Sequence, residues 1–192
     1  FKFANKYQIP VWLTHGTLMM AERYLPSQVT FEMHIIDSHE PFAIQDINVQ
    51  PFPVPHDARE PVQFTFDNGD KKLGVLTDTG TSTSHIEYVL NCCDALVLEC
   101  NHDIDMLMNG PYTRSLKQRV NSRLGHLDNT AAATLLSQLD NRKLQHILGA
   151  HLSAKNNHSA LVKQALSHVL NCDEEWIGIA DQALGFDWRE IT

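Results

Sequence analysis

Pro53-Val54-Pro55-His56-Asp57-Ala58-Arg59-Glu60-Pro61 closes one apolar, β-type run, and Leu76-Thr77-Asp78-Thr79-Gly80 closes another. A third run, Ile147-Leu148-Gly149-Ala150, ends in His151. Each run delivers one metal-capable side chain at its end: an imidazole, a carboxylate and a second imidazole. Such donors suit zinc and similar divalent ions, and strand ends hold ligands more firmly than free loops do. A single His or Asp in such a place is ordinarily a capping or turn residue. Three of them, each following a strand, point to a shared cation site built on a sheet.

Outward from these runs, the pattern predicts a layered domain. Residues 1–7 read as the last turns of a helix, and Pro10–Leu13 as a buried strand. Gly16–Leu25 carries apolar residues at helical spacing and stops at Pro26. Strands are expected at Thr30–Ile36, Phe42–Ile44 and Ile47–Val54. Val62–Phe66 and Lys72–Thr77 read as a hairpin about Asp67-Asn68-Gly69-Asp70. Helices at His85–Leu90, Tyr112–Arg123, Asn129–Gln138 and Ser159–Leu170 then interleave with strands at Ala95–Glu99, Gln145–Ala150 and Trp176–Ala180. The order implies an α/β or α+β fold, with helices outside packed sheets.

The 192 residues are 43% hydrophobic and 20% charged, which suits a single domain over residues 1–192 with a real core. No run approaches the length of a membrane span, and no secretory leader pattern is visible. The cysteines Cys92, Cys93, Cys100 and Cys172 show no C-x-x-C spacing. Reduced thiols in a cytoplasmic protein, with no membrane partner, are the expectation. The chain opens on Phe1 in helical register, so a start further upstream is expected.

A formal charge of −8 argues against a uniformly basic nucleic-acid surface. Its distribution is uneven. Residues 1–110 hold six basic and fifteen acidic side chains, a net −9. Residues 111–172 hold eight and two, a net +6, and residues 173–192 one and six, a net −5. The middle block reads either as a solvated helix face or as a phosphate-tracking patch.

His56, Asp78 and His151 supply two imidazoles and one carboxylate. A carboxylate can bridge an ion pair roughly 3.5–4 Å apart, as in two-metal hydrolases. Zinc takes about four ligands per ion, so these residues alone do not close two sites. Leu98-Glu99-Cys100-Asn101-His102-Asp103 brings three polar residues out of a buried run. Asp103 there is either a helix N-cap or part of a substrate-binding group with Asn101 and His102. In Arg123-Leu124-Gly125-His126-Leu127-Asp128-Asn129, Asp128 or Asn129 suits an N-cap, and His126 lies where a phosphate can bind and a proton can be given to a leaving group. Ser153, Lys155 and Asn156, after His151, suit either phosphate contact or an exposed turn. His15 reads as a helix cap; His34, His39, His85, His146, His158 and His168 read as surface or packing residues. G-x-S-x-G and G-x-x-x-x-G-K-[ST] motifs are absent.

At these residues the chain resembles the metallo-β-lactamase-fold hydrolases, and among them the YycJ/VicX-type group, described as 5′→3′ exonuclease-like. The likeness spans nearly the whole chain. It rests on Tyr7 through Thr17, PHDAREP at Pro55–Pro61, Thr77-Asp78-Thr79-Gly80, LECNHDIDML at Leu98–Leu107, Gly110-Pro111-Tyr112, GHLDN at Gly125–Asn129 and GAHLSAKNN at Gly149–Asn157. The resemblance implies a four-layer αββα sandwich with a dinuclear site of zinc or manganese at one edge of the sheets. His56 would hold the first ion, Asp78 bridge both and His151 hold the second. His126 would assist phosphodiester cleavage, and Asn101 and His102 would line the substrate cleft.

The family's H-x-H-x-D-H motif is absent and is expected just before Phe1. The fold is therefore expected to be incomplete at its N-terminus, with a sheet edge that a preceding segment or a second copy in a homo-oligomer would cover. The leading expectation is a metal-dependent exonuclease with DNA as its partner. A hydrolase of small phosphodiesters or esters on the same centre is a second reading, and a non-catalytic domain with a vestigial site a third. Salt dependence of oligonucleotide binding separates the first two, and metal content the third.

Overall fold

The computed structural model describes residues 1–192. Helix α1 (Lys2–Tyr7) leads to β1 (Val11–Thr14), α2 (His15–Ala21) and a 3-10 turn over Glu22–Tyr24. Strands β2 (Met33–Ile36), β3 (Phe42–Ile44), β4 (Ile47–Pro53), β5 (Val62–Asp67) and β6 (Lys72–Leu76) follow. Helices and strands then mix: α3 (Ser84–Leu90), β7 (Ala95–Glu99), α4 (Ile104–Asn109), α5 (Arg114–Val120), α6 (Asn129–Gln138), β8 (His146–Ala150), α7 (Ser159–Leu170) and β9 (Gly178–Ile179).

The larger sheet has seven strands in sequence order, β3-β4-β5-β6-β7-β8-β9, and β1 pairs with β2 in a separate two-stranded sheet. Pairing is antiparallel from β3 to β6 and parallel from β6 to β9. Two antiparallel steps return β4 to the direction of β6. The carboxyl ends of β4, β6, β7 and β8 therefore reach the same edge of the sheet, where α/β folds gather their functional groups.

One face of the larger sheet is closed by α3, α6 and α7. Ile86, Val89 and Leu90, then Ala132, Leu135 and Leu136, then Val162 and Leu166 recur at helical spacing and pack on Leu76, Leu96, Leu98 and Ile147. Leu76, Leu98 and Ile147 are wholly buried, each contributing about 1.5–3 kcal/mol of apolar transfer. The opposite face carries Leu73, Ala95, Val97 and Leu148. The C-terminal residues Phe186, Trp188 and Ile191 cross it, enclosing a cavity of about 330 Å³. That segment is tied down where His146 Nε2 donates to the Glu190 carbonyl (2.8 Å) and Gln145 brackets the Thr192 backbone.

The expected sandwich is present with unequal sheets. On the small-sheet side, α2 packs beside β1 and Trp12 of β1 stacks on Phe42 of β3, 6.1 Å between ring centres. The hairpin forms as read: Gly69 takes φ +90°, open to glycine at no steric cost. Asp103 and Asp128 are N-caps, accepting from Met106 N and from Thr130 and Ala131 N. Three readings need correction. Thr14, not His15, caps α2. The helix expected over Tyr112–Arg123 is shortened to α5, because the Thr113 hydroxyl caps it at one end and Asn121 ends it. The strand expected from Thr30 pairs only from Met33.

Candidate metal centre

His56 lies just past β4, Asp78 just past β6, Glu99 at the end of β7 and His151 just past β8. The shared strand direction thus delivers four side chains to one edge. Asp78 and His151 both adopt left-handed backbone, φ 51° and 58°. Such conformations in non-glycine residues cost energy and persist where surrounding structure fixes them. Here the loops lock together: Gly80 N donates to Pro55 O (2.9 Å), and Asp57 N to Leu124 O (3.0 Å). His126 arrives from the turn between α5 and α6, whose closeness depends on Gly125. A Cβ there would lie 2.1 Å from Val120 O, so any larger residue forces the turn away.

Around Asp78 the geometry is convergent. Asp78 Oδ1 lies 3.8 Å from His56 Nε2, 3.8 Å from His151 Nε2 and 3.8 Å from His126 Nδ1. The ligand atoms of Asp78, Glu99, His126 and His151 all fall within 4.8 Å of one another. Two donors on one tetrahedral zinc, each about 2.1 Å from it, stand roughly 3.4 Å apart. The Asp78 carboxylate stands close to that spacing from the Nε2 atoms of His56 and His151, and carboxylate with imidazole is a donor set that suits divalent ions.

Glu99 organises the rings. It is fully buried, and its Oε1 accepts from His151 Nδ1 (2.7 Å) and His126 Nδ1 (2.8 Å). Its Oε2 accepts from Thr79 N (3.0 Å) and Leu127 N (3.3 Å). Burial by itself would raise the Glu99 pKa, but the bonds from His126, His151 and the Thr79 amide outweigh it and hold the carboxyl at about 2. The same bond raises the pKa of His151, against burial. As an acceptor-only anion, Glu99 requires a proton on Nδ1 of both rings. His56 Nδ1 is likewise engaged, donating to Gly125 O at 3.0 Å. The Nε2 atoms are left free, the arrangement that orients imidazoles for metals. With its oxygens saturated by four donors, Glu99 is an orienting acceptor rather than a ligand.

The structure brings His56, Asp78 and His151 together, as the sequence pattern led us to expect, and sets His126 beside them. Glu99 was not singled out, because a carboxylate ending an apolar run looks like the boundary of that run. Its signal was a charge directly after four apolar residues. Asn101, His102 and Asn156 are buried, which corrects the expectation that they line the substrate cleft. Asn101 Nδ2 donates to the His151 carbonyl (2.9 Å) and holds that loop. Burial lowers the pKa of His102. Asn156 is held by Ser153 Oγ, which accepts from its backbone N (3.2 Å). Lys155 alone of the group is solvent-facing, its Nζ 6.0 Å from the Tyr112 ring centre. The basic block is also smaller than its charge count, since Arg119, Arg142 and Lys163 pair with Asp57, Asp140 and Glu175.

Residues 2–147 match the family model described as "Beta-lactamase superfamily domain". The chain is 34% identical over 178 residues to an exodeoxyribonuclease YycJ of Bacillus anthracis, covering 93% of this chain and 67% of the relative. It is 32% identical over 189 residues to an exodeoxyribonuclease WalJ of Streptococcus pneumoniae, covering 97% and 67%. Among solved structures, the metallo-beta-lactamase fold protein YhfI from Bacillus subtilis superposes with TM-score 0.70 at 17% identity, over 97% of this chain and 68% of that one. Zn(2+)-bound PqqB from Methylobacterium extorquens gives 0.64 at 18% identity, over 93% and 62%. At these identities the structures speak to the fold alone.

Proposed function

This chain belongs to the beta-lactamase superfamily, and from that premise we propose that it is a metal-dependent phosphodiesterase acting as a 5′→3′ exonuclease on DNA. The observation that carries the reading is the convergence of His56 and His151 Nε2 on Asp78 Oδ1, with each ring's Nδ1 already committed to an acceptor. The exodeoxyribonuclease relatives supply the substrate class. In this proposal His56, Asp78 and His151 would hold divalent ions, zinc or manganese, with His56 on one ion, His151 on a second and Asp78 shared. Bound there, the ions would supply an activated water and positive charge for the phosphoryl oxygens.

The chain's own residues do the rest. Asp78, anchored by its left-handed backbone, keeps its carboxylate between the two imidazoles. Glu99 fixes the His126 ring through its Nδ1–H, so Nε2 faces the leaving oxygen and can give it a proton only when the ring carries a second proton there. Asn101 holds the His151 loop from beneath. The unpaired cysteines support a reducing compartment, and we place the reaction in the cytoplasm.

The test is Asp78→Asn, since asparagine tolerates the φ of 51° that alanine would strain. The variant should lose zinc uptake and chelator-sensitive cleavage of a 5′-phosphorylated oligonucleotide while its circular dichroism is unchanged. Cleavage at the native rate would overturn the bridging role.

A further inference from the structure

Asn129 and Asn157 are buried amides that the proposed chemistry leaves unused. Asn129 Nδ2 donates to Asn157 Oδ1 and Asn157 Nδ2 to Asn129 Oδ1, each at 2.9 Å. The other hydrogen of Asn157 Nδ2 goes to Cys100 O (2.8 Å), and Asn157 Oδ1 also accepts from His158 N (2.8 Å). Asn157 thus uses its full complement of donors and acceptors. The helix starts do not require the pair, since Asp128 caps α6 and His158 caps α7.

The pair joins the two stretches that carry histidines of the centre. Asn129 follows His126 by three residues, and Asn157 follows His151 by six. Each stretch is sewn separately to residues 100–103, which leave β7. On one side Asn101 N donates to Leu127 O and Asn129 N to His102 O, both at 2.9 Å. On the other, Cys100 N donates to Ala150 O (2.9 Å), Ser153 N to Asn101 O (2.8 Å) and Asp103 N to Asn156 O (2.9 Å). The hydrogen bonds that run directly from one stretch to the other are those of the two amides. At the far end the rings meet: His126 and His151 lie edge to face, 5.2 Å between centres. Both Nδ1 atoms there donate to Glu99 Oε1, at 2.8 and 2.7 Å.

Two parallel N–H···O bonds between planar groups fix separation and mutual orientation together, which a single bond does not. Burial strengthens such bonds and keeps water from replacing them. The two imidazoles share one acceptor oxygen, so one ring cannot absorb a change in the spacing of the stretches without disturbing the other. Functional groups of this kind must be held to within about 0.5 Å. We propose that the Asn129–Asn157 amide pair is a positioning clamp: it sets the spacing of the His126 turn and the His151 loop, and with it the angle at which both imidazoles meet Glu99 and face Asp78. The clamp's effect on zinc uptake rests on the metal-centre reading; its effect on the rings does not.

Ring NMR of the metal-free protein, with isotope-labelled histidine, reads the clamp apart from the chemistry. The Nδ1–H signals of His126 and His151 are assigned by their loss in His126→Gln and His151→Gln. Asn129→Ala and Asn157→Ala should each displace or abolish at least one of the two signals. The double variant should do no more than either single one, because the amides act as a unit. Leu136→Ala, a core truncation two turns further along α6, should lower the melting temperature and leave both signals in place. Zinc affinity by chelator competition should fall at least about threefold in the amide variants, short of the about 10–100-fold that follows loss of a ligand's direct partner. Should the alanine variants not fold, Asn157→Asp is read in the same way: it keeps the volume and both accepted bonds but loses the donors to Cys100 O and Asn129 Oδ1. Signals unmoved in both single variants, signals moved as far by Leu136→Ala, effects that add in the double variant, or an unchanged zinc affinity where the parent binds zinc would each overturn the clamp. If the signals move as expected while the parent takes up no zinc, the metal-centre reading falls and the clamp stands.

Discussion

Glu99→Gln is the substitution most diagnostic of the site's construction. It preserves volume, removes a charge and turns one acceptor into a donor. Glu99 Oε1 serves two imidazole N–H groups and Oε2 two backbone amides. Turned one way, the new NH2 faces the Thr79 and Leu127 amides, two buried donors that lose their acceptor; turned the other, it faces the two imidazole Nδ1 atoms and forces both rings to change tautomer. At about 1–3 kcal/mol for each orphaned group the fold loses roughly 2–6 kcal/mol, a large part of the roughly 5–15 kcal/mol of a typical domain. For a chain of this length the melting temperature should fall by at least about 4 °C. Zinc affinity should drop about 10–100-fold, as it does when partners behind metal ligands are removed.

The pH profile adds an independent readout. The folded-state pKa of Glu99 lies below its unfolded value, at about 2. Its stabilisation is therefore fully present above the unfolded carboxylate range of about 4.3 and is lost as pH falls through about 2. Glu99→Gln should flatten this acid limb in calorimetry of the metal-free protein. A variant melting within about 1 °C of the parent, with zinc affinity by chelator competition changed less than about threefold, would refute the organising role.

His126→Ala should slow turnover while metal content stays near the parent's; loss of metal instead would make His126 a ligand. Gly125→Ala, whose Cβ would fall 2.1 Å from Val120 O and 2.3 Å from Arg119 O, should cost about 1–3 kcal/mol in urea unfolding, and an unshifted midpoint would contradict the tight turn. Thiol titration at mildly alkaline pH should label exposed Cys92 quickly and spare buried Cys93 and Cys100 until unfolding. Burial pushes Cys93 up to about 11 and Cys100 further in the same direction, so rapid labelling of either would contradict it.

The sequence displayed the outer ligands because apolar runs stop abruptly at them: Val54 before His56, Leu76 before Asp78, Ala150 before His151. The parallel pairing of β6, β7 and β8 brought those stops to one edge. Glu99 stayed hidden because its role depends on donors arriving from Thr79, His126, Leu127 and His151, residues scattered widely along the chain. Asn101, His102 and Asn156 misled for the opposite reason. A cluster of polar residues after a strand normally faces solvent, yet here Asn101 is turned inward to satisfy the carbonyl of His151. The basic block was legible as a sum, but only packing showed which cations Asp57, Asp140 and Glu175 neutralise.

The centre sets two carboxylates, buried Glu99 and more exposed Asp78, among its imidazoles, and in the bare protein these acids carry the same sign of charge as a phosphodiester. Under the proposed function, a phosphodiester would meet repulsion from these carboxylates until dications had reversed their field. Occupancy by cations must then precede productive docking. If the proposed function holds, a centre so charged would be guarded against idle complexes whenever the ions are scarce.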